Sequence, residues 1–196
     1  VEIGSNDGSL LKFFKDRGLR VVGVDPAHET AKNATARGLL TIPTFFSPSV
    51  AKEIQEEHGF AAIICANNVF AHADNLGEIV DGISNLLAQD GVFVFEVSYL
   101  VHIIERFLFD IIYHEHTCYH TVKPLSSFFE RHNMQLFDVK YIPTKGGSIR
   151  CFVQHKHGPH KVSEDVARFV REEEEKGYDK PEMYMQFGKK IEEIKQ

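Results

Sequence analysis

Short apolar runs alternate with amphipathic stretches along most of this chain, the pattern of strands separated by crossover helices. Val1 to Ile3 reads as a buried strand and Gly4 to Gly8 as a turn; a helix then carries Leu10, Leu11, Phe13 and Phe14 from Ser9 and stops at Gly18. Arg20 to Asp25 is a second buried strand, broken by Pro26, and His28 to Arg37 a helix ended by Gly38. Leu39 to Ile42 follows as a short third strand. Ser47 and Pro48 supply a cap and a first-turn proline for a helix that closes at Gly59. Phe60 to Ala66 is apolar throughout, as expected of a strand covered on both faces. A helix over Leu76 to Ala88, a turn at Asp90-Gly91 and a strand over Val92 to Val97 complete the alternation.

Beyond Val97 the pattern changes. Tyr99 to His120 is rich in aromatics and histidines and has no clean period. A helix from about Pro124 to His132 precedes two strands, Met134 to Ile142 and Ser148 to Gln154, joined through Gly146-Gly147 as a hairpin. Ser163 to Gln196, with its run Glu172 to Glu175, predicts two solvent-facing helices broken at Gly177 and Pro181. The expected organisation is one domain over residues 1–157 and a charged helical segment over 158–196, a linker or the start of a further domain. The element order predicts an α/β class I methyltransferase (Rossmann-like) sheet, mostly parallel, with a terminal antiparallel hairpin and helices on both faces. A dinucleotide-binding fold would instead finish on a parallel sixth strand. Because the chain starts inside a buried strand, it reads as a fragment whose upstream region is missing.

Composition narrows the function. A hydrophobic share of 43% and a charged share of 26% are those of an ordinary soluble domain. The net charge of −6 disfavours a nucleic-acid partner, which needs clustered Lys and Arg, and suits a small-molecule substrate. No apolar run approaches the roughly 20 residues of a membrane helix, and no signal peptide precedes the fold. Cys65, Cys118 and Cys151 lack metal-ligand spacing and read as reduced thiols of a cytoplasmic protein. Oligomeric state leaves no trace in the sequence.

Glu2-Ile3-Gly4-Ser5-Asn6-Asp7-Gly8 stands where a strand hands over to a helix. Glycines there let the backbone turn tightly and come close to a ligand. Asn6 occupies the place where a dinucleotide fold often has the glycine that admits a pyrophosphate. S-adenosylmethionine carries no phosphate; Glu2 or Asp7 can face its ammonium and loop amides its carboxylate. Asp25, ending the second strand, is placed to accept hydrogen bonds from both ribose hydroxyls. It reads equally as an ordinary strand-ending residue before Pro26. Asn67, Asn68 and His72 follow the fourth strand, where the topology lets cofactor and substrate meet, although turn formation alone would also explain them. Phe45 and Phe46 can flank an adenine, with core packing the plainer use.

Tyr113-His114-Glu115-His116, with His120 close behind, is the most unusual stretch. It admits a metal site through His114, His116 and His120, a set of histidines satisfied by backbone carbonyls, or a general base. The segments V-E-I-G-S-N-D-G, A-N-N-V-F-A-H, I-Y-H-E-H and G-G-S-I-R, in that order, resemble the sugar C-methyltransferases, from Val1 to about Gln154. Those enzymes methylate C-3 of nucleoside-diphosphate-linked 4-keto deoxysugars. The resemblance implies S-adenosyl-L-methionine as cofactor and a nucleoside-diphosphate sugar as substrate. No metal is expected in this segment, and zinc is expected in an amino-terminal domain that this chain lacks. It also implies His116 as the base that generates an enolate, with Tyr113 and Glu115 alongside and His72 contributing to the site. Gly146, Gly147, Ser148 and Arg150 would touch the nucleotide sugar, Arg150 serving either a phosphate or a structural salt bridge. Methylation of oxygen or nitrogen on another small acceptor, and a non-catalytic cofactor-binding domain, remain the alternatives.

Overall fold

A computed structural model describes residues 1–195 of the 196-residue chain, so Gln196, the end of the expected charged segment, lies outside the described residues. The strands are β1 (Glu2–Ile3), β2 (Gly23–Val24), β3 (Thr41–Ile42), β4 (Ala61–Asn67), β5 (Leu87–Ser98), β6 (Met134–Ile142) and β7 (Ser148–His155). They form one sheet in the order β3-β2-β1-β4-β5-β7-β6. The first five pair in parallel, and β7 runs antiparallel between β5 and β6. The class I sheet with its closing hairpin is therefore present. Strand order reverses at β1, which lies between β2 and β4, and the carboxyl ends of β1 and β4 border the crevice where such sheets receive ligands.

Helices α1 (Ser9–Lys15), α2 (His28–Ala36), α3 (Pro48–His58), α4 (Leu76–Leu86), α5 (Leu100–Glu105), α6 (Val122–Arg131), α7 (Glu164–Glu175) and α8 (Pro181–Ile194) connect and follow the strands. The expected start of α3 is present, with Ser47 Oγ accepting from the Val50 amide and Pro48 opening the helix. Several boundaries differ from the sequence pattern. Only the ends of Arg20–Asp25 and Leu39–Ile42 pair as strands, because β1, β2 and β3 meet over two residues each. Asp90-Gly91 is not a turn before β5 but a bulge within it, where the pairing jumps from Ala61–Leu87 to Ile63–Val92. The helix expected to reach Ala88 accordingly stops at Leu86. Within Tyr99–His120 a helix had no visible period because α5 buries Val101, Ile103 and Ile104 together. Helix α6 begins at Val122, before Pro124, whose ring is tolerated in a first turn.

An aromatic cluster anchors the centre. Phe70, Phe93, Phe95 and Phe129 are fully buried, and Phe70 stacks on Phe95 with ring centroids 4.7 Å apart. Phe70 opens the short 3₁₀ turn Phe70–His72, so packing fixes the backbone that carries His72.

The acidic run in α7 is not wholly solvated. Val166, Phe169, Val170 and Glu173 share one face at helical spacing, and Glu173 is 2% exposed. Its Oε1 accepts from the Tyr99 hydroxyl at 2.8 Å and the Val122 amide at 2.7 Å, and its Oε2 from the Lys123 amide at 2.9 Å. Those amides belong to the first turn of α6, so one carboxylate caps α6, ties down β5's end and docks α7. Burial pushes the Glu173 pKa up, while the two amides, the phenol and Lys123 pull it down. Replacement by alanine leaves a buried phenol and two helix-terminal amides without an acceptor. Glu173→Ala is therefore expected to destabilise the chain by roughly 2–4 kcal/mol in urea unfolding followed by circular dichroism.

Candidate active site

The turn after β1 is built from backbone that most residues avoid. Gly4, Asn6 and Gly8 have φ of +70°, +50° and +77°. Gly4 is also sterically required, since a Cβ there would meet Val69 Cγ2 at 2.6 Å. Asp25 is 8% exposed and sits against this turn: its Oδ2 accepts from the Asn6 amide at 2.8 Å and its Oδ1 from the Ala27 amide at 2.9 Å. Asp25 is thus beside the crevice rather than out in solvent, and each oxygen retains a lone pair. Asp7 is exposed, with Oδ1 accepting from the Ser9 amide, whereas Glu2 is buried with Oε2 unpartnered.

Burial raises the Glu2 carboxyl to about 7, and the Asp7 and Asp25 carboxylates push in the same direction. Three acidic groups thus surround one turn. A cationic ligand is attracted to such a turn and a pyrophosphate is repelled by it, so these residues fit an ammonium- and sulfonium-bearing cofactor. Phe45 is 77% exposed beyond β3, free of the core, while Phe46 is buried in it.

Asn67 ends β4, and Asn68, with φ +56°, donates its amide to the Glu96 carbonyl at 2.8 Å. Asn68 also lines a cavity of about 370 Å³ together with His72, Asp110, Tyr113, His116, Lys145 and Gly146. Two segments from opposite sides are laced at its wall. Thr117 donates its amide to the Ala71 carbonyl at 2.8 Å, and its hydroxyl lies 3.2 Å from the carbonyls of Ala71 and Ala73. His72 Nδ1 lies 3.0 Å from the Glu115 carbonyl, and the rings of His72 and His116 are 4.8 Å apart.

The hydrogen bonds of His116 define its chemistry. Nδ1 lies 2.9 Å from the Ile111 carbonyl, which can only accept, so Nδ1 carries the proton. Nε2 of the neutral ring is then a bare lone pair, and the Tyr113 hydroxyl donates to it at 3.1 Å. His72 is held by the same logic, with Nδ1–H on a carbonyl, so that Nε2 is the lone pair of its neutral form. Glu115 enters through its main-chain carbonyl while its side chain is exposed. Ile111, which orients His116, could not be singled out from sequence because a carbonyl has no residue signature.

The three histidines of the possible metal reading do not converge: His114 is exposed, and buried His120 places Nε2 3.4 Å from Cys118 Sγ. Among the described residues no group of three His, Cys, Asp or Glu side chains is arranged to hold a metal ion. Arg150 pairs with buried Glu96 at 2.8 Å, the structural alternative, and Ser148 is fully buried. No helix among the described residues is long and apolar enough to cross a membrane.

Comparison with known proteins gives the family and the fold. Residues 1–139 match the family described as "Methyltransferase domain", and residues 143–196 the "C-methyltransferase C-terminal domain". The C-methyltransferase NovU of Streptomyces niveus is 39% identical over 195 residues, covering 100% of this chain and 46% of that protein. The chain thus spans about half the length of this curated relative. Among solved structures, a SAM-dependent methyltransferase from Anabaena variabilis superposes with a TM-score of 0.60 at 18% identity, over 79% of this chain and 75% of that one. Magnesium protoporphyrin IX methyltransferase of Synechocystis with bound SAH gives 0.58 at 10% identity, over 78% and 71%. These two likenesses establish the fold.

The raised Glu2 carboxyl makes stability depend on pH. Its folded value of about 7 exceeds the ordinary 4.5, so the folded state holds the proton more tightly, and stability falls as pH rises through that window. Glu2→Gln removes this titration. Thermal midpoints measured between about pH 4.5 and 7 should fall for the parent and lose most of that fall in the variant.

Proposed function

This chain belongs to the methyltransferase-domain family, and on that premise we propose that it binds S-adenosylmethionine and methylates carbon on a nucleotide-linked keto deoxysugar. The observation that carries the reading is His116, held by a carbonyl at Nδ1 with Nε2 facing the Tyr113 hydroxyl in a cavity beside the cofactor crevice. When bound, the cofactor supplies an electrophilic methyl group on a sulfonium.

The turn Gly4–Gly8 and Asp25 hold that cofactor, Asp25 accepting from its ribose hydroxyls through the lone pairs that the Asn6 and Ala27 amides leave open. Asp7 adds the negative charge that a cationic ligand calls for, Glu2, with its carboxyl raised to about 7, adds to it only as it ionises, and Asn67 and Asn68 border the cofactor at the end of β4. Exposed Phe45 is available to the adenine.

Chemistry falls to the histidine wall. His116 Nε2 takes the proton from the carbon beside the acceptor's ketone, and the resulting imidazolium is stabilised by the Ile111 carbonyl already bonded to its other nitrogen. Tyr113, released from His116 as the ring protonates, turns its O–H toward the enolate oxygen. His72 stands 4.8 Å from His116, ring to ring, and shapes the same wall. Glu115 contributes the carbonyl that fixes His72 rather than a carboxylate.

In the protein carrying this chain, His116→Ala should lower kcat by about 10²–10⁴-fold while S-adenosylhomocysteine affinity by calorimetry stays at the parent value. Asp25→Ala should do the reverse first, weakening S-adenosylhomocysteine by roughly tenfold or more. Carbon NMR of the product decides the reaction class: a new C–CH3 group supports the reading, and an O–CH3 or N–CH3 group overturns it. Turnover surviving His116→Ala would remove the assigned base.

A further inference from the structure

The turn between β6 and β7 presents a cation to the histidine cavity that the motifs do not explain. Lys145 lines that cavity with Asp110, Tyr113 and His116. Its backbone is left-handed, φ 51° and ψ 41°, a conformation that a residue other than glycine or asparagine seldom adopts and that tends to be retained at functional sites. The turn is locked around it. Thr144 donates its hydroxyl to Glu96 Oε1 at 3.0 Å, the Gly147 amide bonds the Thr144 carbonyl at 2.9 Å, and Arg106 bonds the Gly146 carbonyl at 2.6 Å.

Neighbouring cations are all engaged. Arg150 is taken by Glu96, Lys140 by Asp138 and Asp165, Lys176 by Glu105, and Arg106 by the Gly146 carbonyl. Lys145 has no such partner among the described residues. The cation that sequence spacing would offer a phosphate, Arg150, is therefore spent within the sheet, and Lys145 is the positive charge left at the cavity.

We propose that Lys145 is the anion anchor of the acceptor site and takes the diphosphate of the nucleotide-linked substrate. This rests on the reading of the His116 cavity as the acceptor site. A flexible ammonium suits a diphosphate, whose oxygens it meets as a point charge without the geometric demands of a guanidinium. Asp110 in the same cavity is the wrong charge for that arm and the right acceptor for sugar hydroxyls. A cavity carrying one lone cation, one carboxylate and a proton-transfer pair matches a ligand with an anionic arm, a hydroxylated ring and an acidic C–H bond.

The test is calorimetry of the full chain, in low and then physiological salt, with S-adenosylhomocysteine, inorganic pyrophosphate, a nucleoside diphosphate and succinate. Lys145→Asn removes the charge and keeps a residue that tolerates the left-handed backbone; Lys145→Arg keeps the charge; Lys140→Ala is the surface control. Expected is binding of pyrophosphate and nucleoside diphosphate by the parent, weakened roughly tenfold or more in Lys145→Asn, kept in Lys145→Arg and Lys140→Ala, and eroded by salt. Equal affinity in Lys145→Asn and the parent overturns the assignment. So does a parent that binds S-adenosylhomocysteine but neither phosphate ligand. Succinate bound as tightly, with the same dependence on Lys145, would overturn the diphosphate in favour of a carboxylate. No heat from S-adenosylhomocysteine alone would sink the cofactor reading and leave Lys145 to be judged by the pyrophosphate titrations.

Discussion

The hydrogen bond from His116 Nδ1 to the Ile111 carbonyl, 2.9 Å long, is the constraint on which the proposed chemistry depends. A free neutral imidazole can carry its proton on either nitrogen and turn its ring at will. A carbonyl fixed by the fold removes both freedoms and leaves Nε2 as the basic lone pair of that ring. The same device acts on His72 through the Glu115 carbonyl, so two rings on two segments present like atoms. The rest of the molecule can be understood as the means of keeping those carbonyls in place: Thr117 laces the segments, the Phe70 stack seats one, and α5 carries the chain toward the other.

Charge divides the two halves of the crevice. At the carboxyl end of β1, the Asp7 and Asp25 carboxylates gather negative charge about a turn where Val69 and Leu39 leave no room for side chains at Gly4 and Gly8. At the β6–β7 turn the ammonium of Lys145, without an ion-pair partner among the described residues, gives the neighbouring cavity a positive point. Under the proposed function, a cationic donor and an anionic acceptor would be sorted to their own sides before any close contact is made.

Much of this was legible in the sequence, because it rests on period and on residue type. The alternation of apolar runs carries the order of elements and the fold class, Gly4, Gly8 and Asp25 mark the turn and its partner, and the Tyr113–His116 segment announces itself by composition. What escaped was set by tertiary contact. Helix α5 buries its apolar residues together and so shows no period. Glu173 looked like one of four solvated glutamates, although its spacing of seven from Val166 puts it on the apolar stripe of α7. The histidines are oriented by the main-chain carbonyls of Ile111 and Glu115, which have no residue signature, and Arg150 is neutralised by a glutamate far off in sequence.

Proton–nitrogen correlation NMR of the imidazole rings, with the histidines assigned by substitution, addresses the central claim most directly. At a pH where the rings are neutral, His116 and His72 should both show the tautomer protonated at Nδ1, the opposite of the form that free histidine favours in water. Protonation at Nε2 of His116 would mean that the ring offers the cavity a donor instead of a base, and the account of proton removal would be wrong.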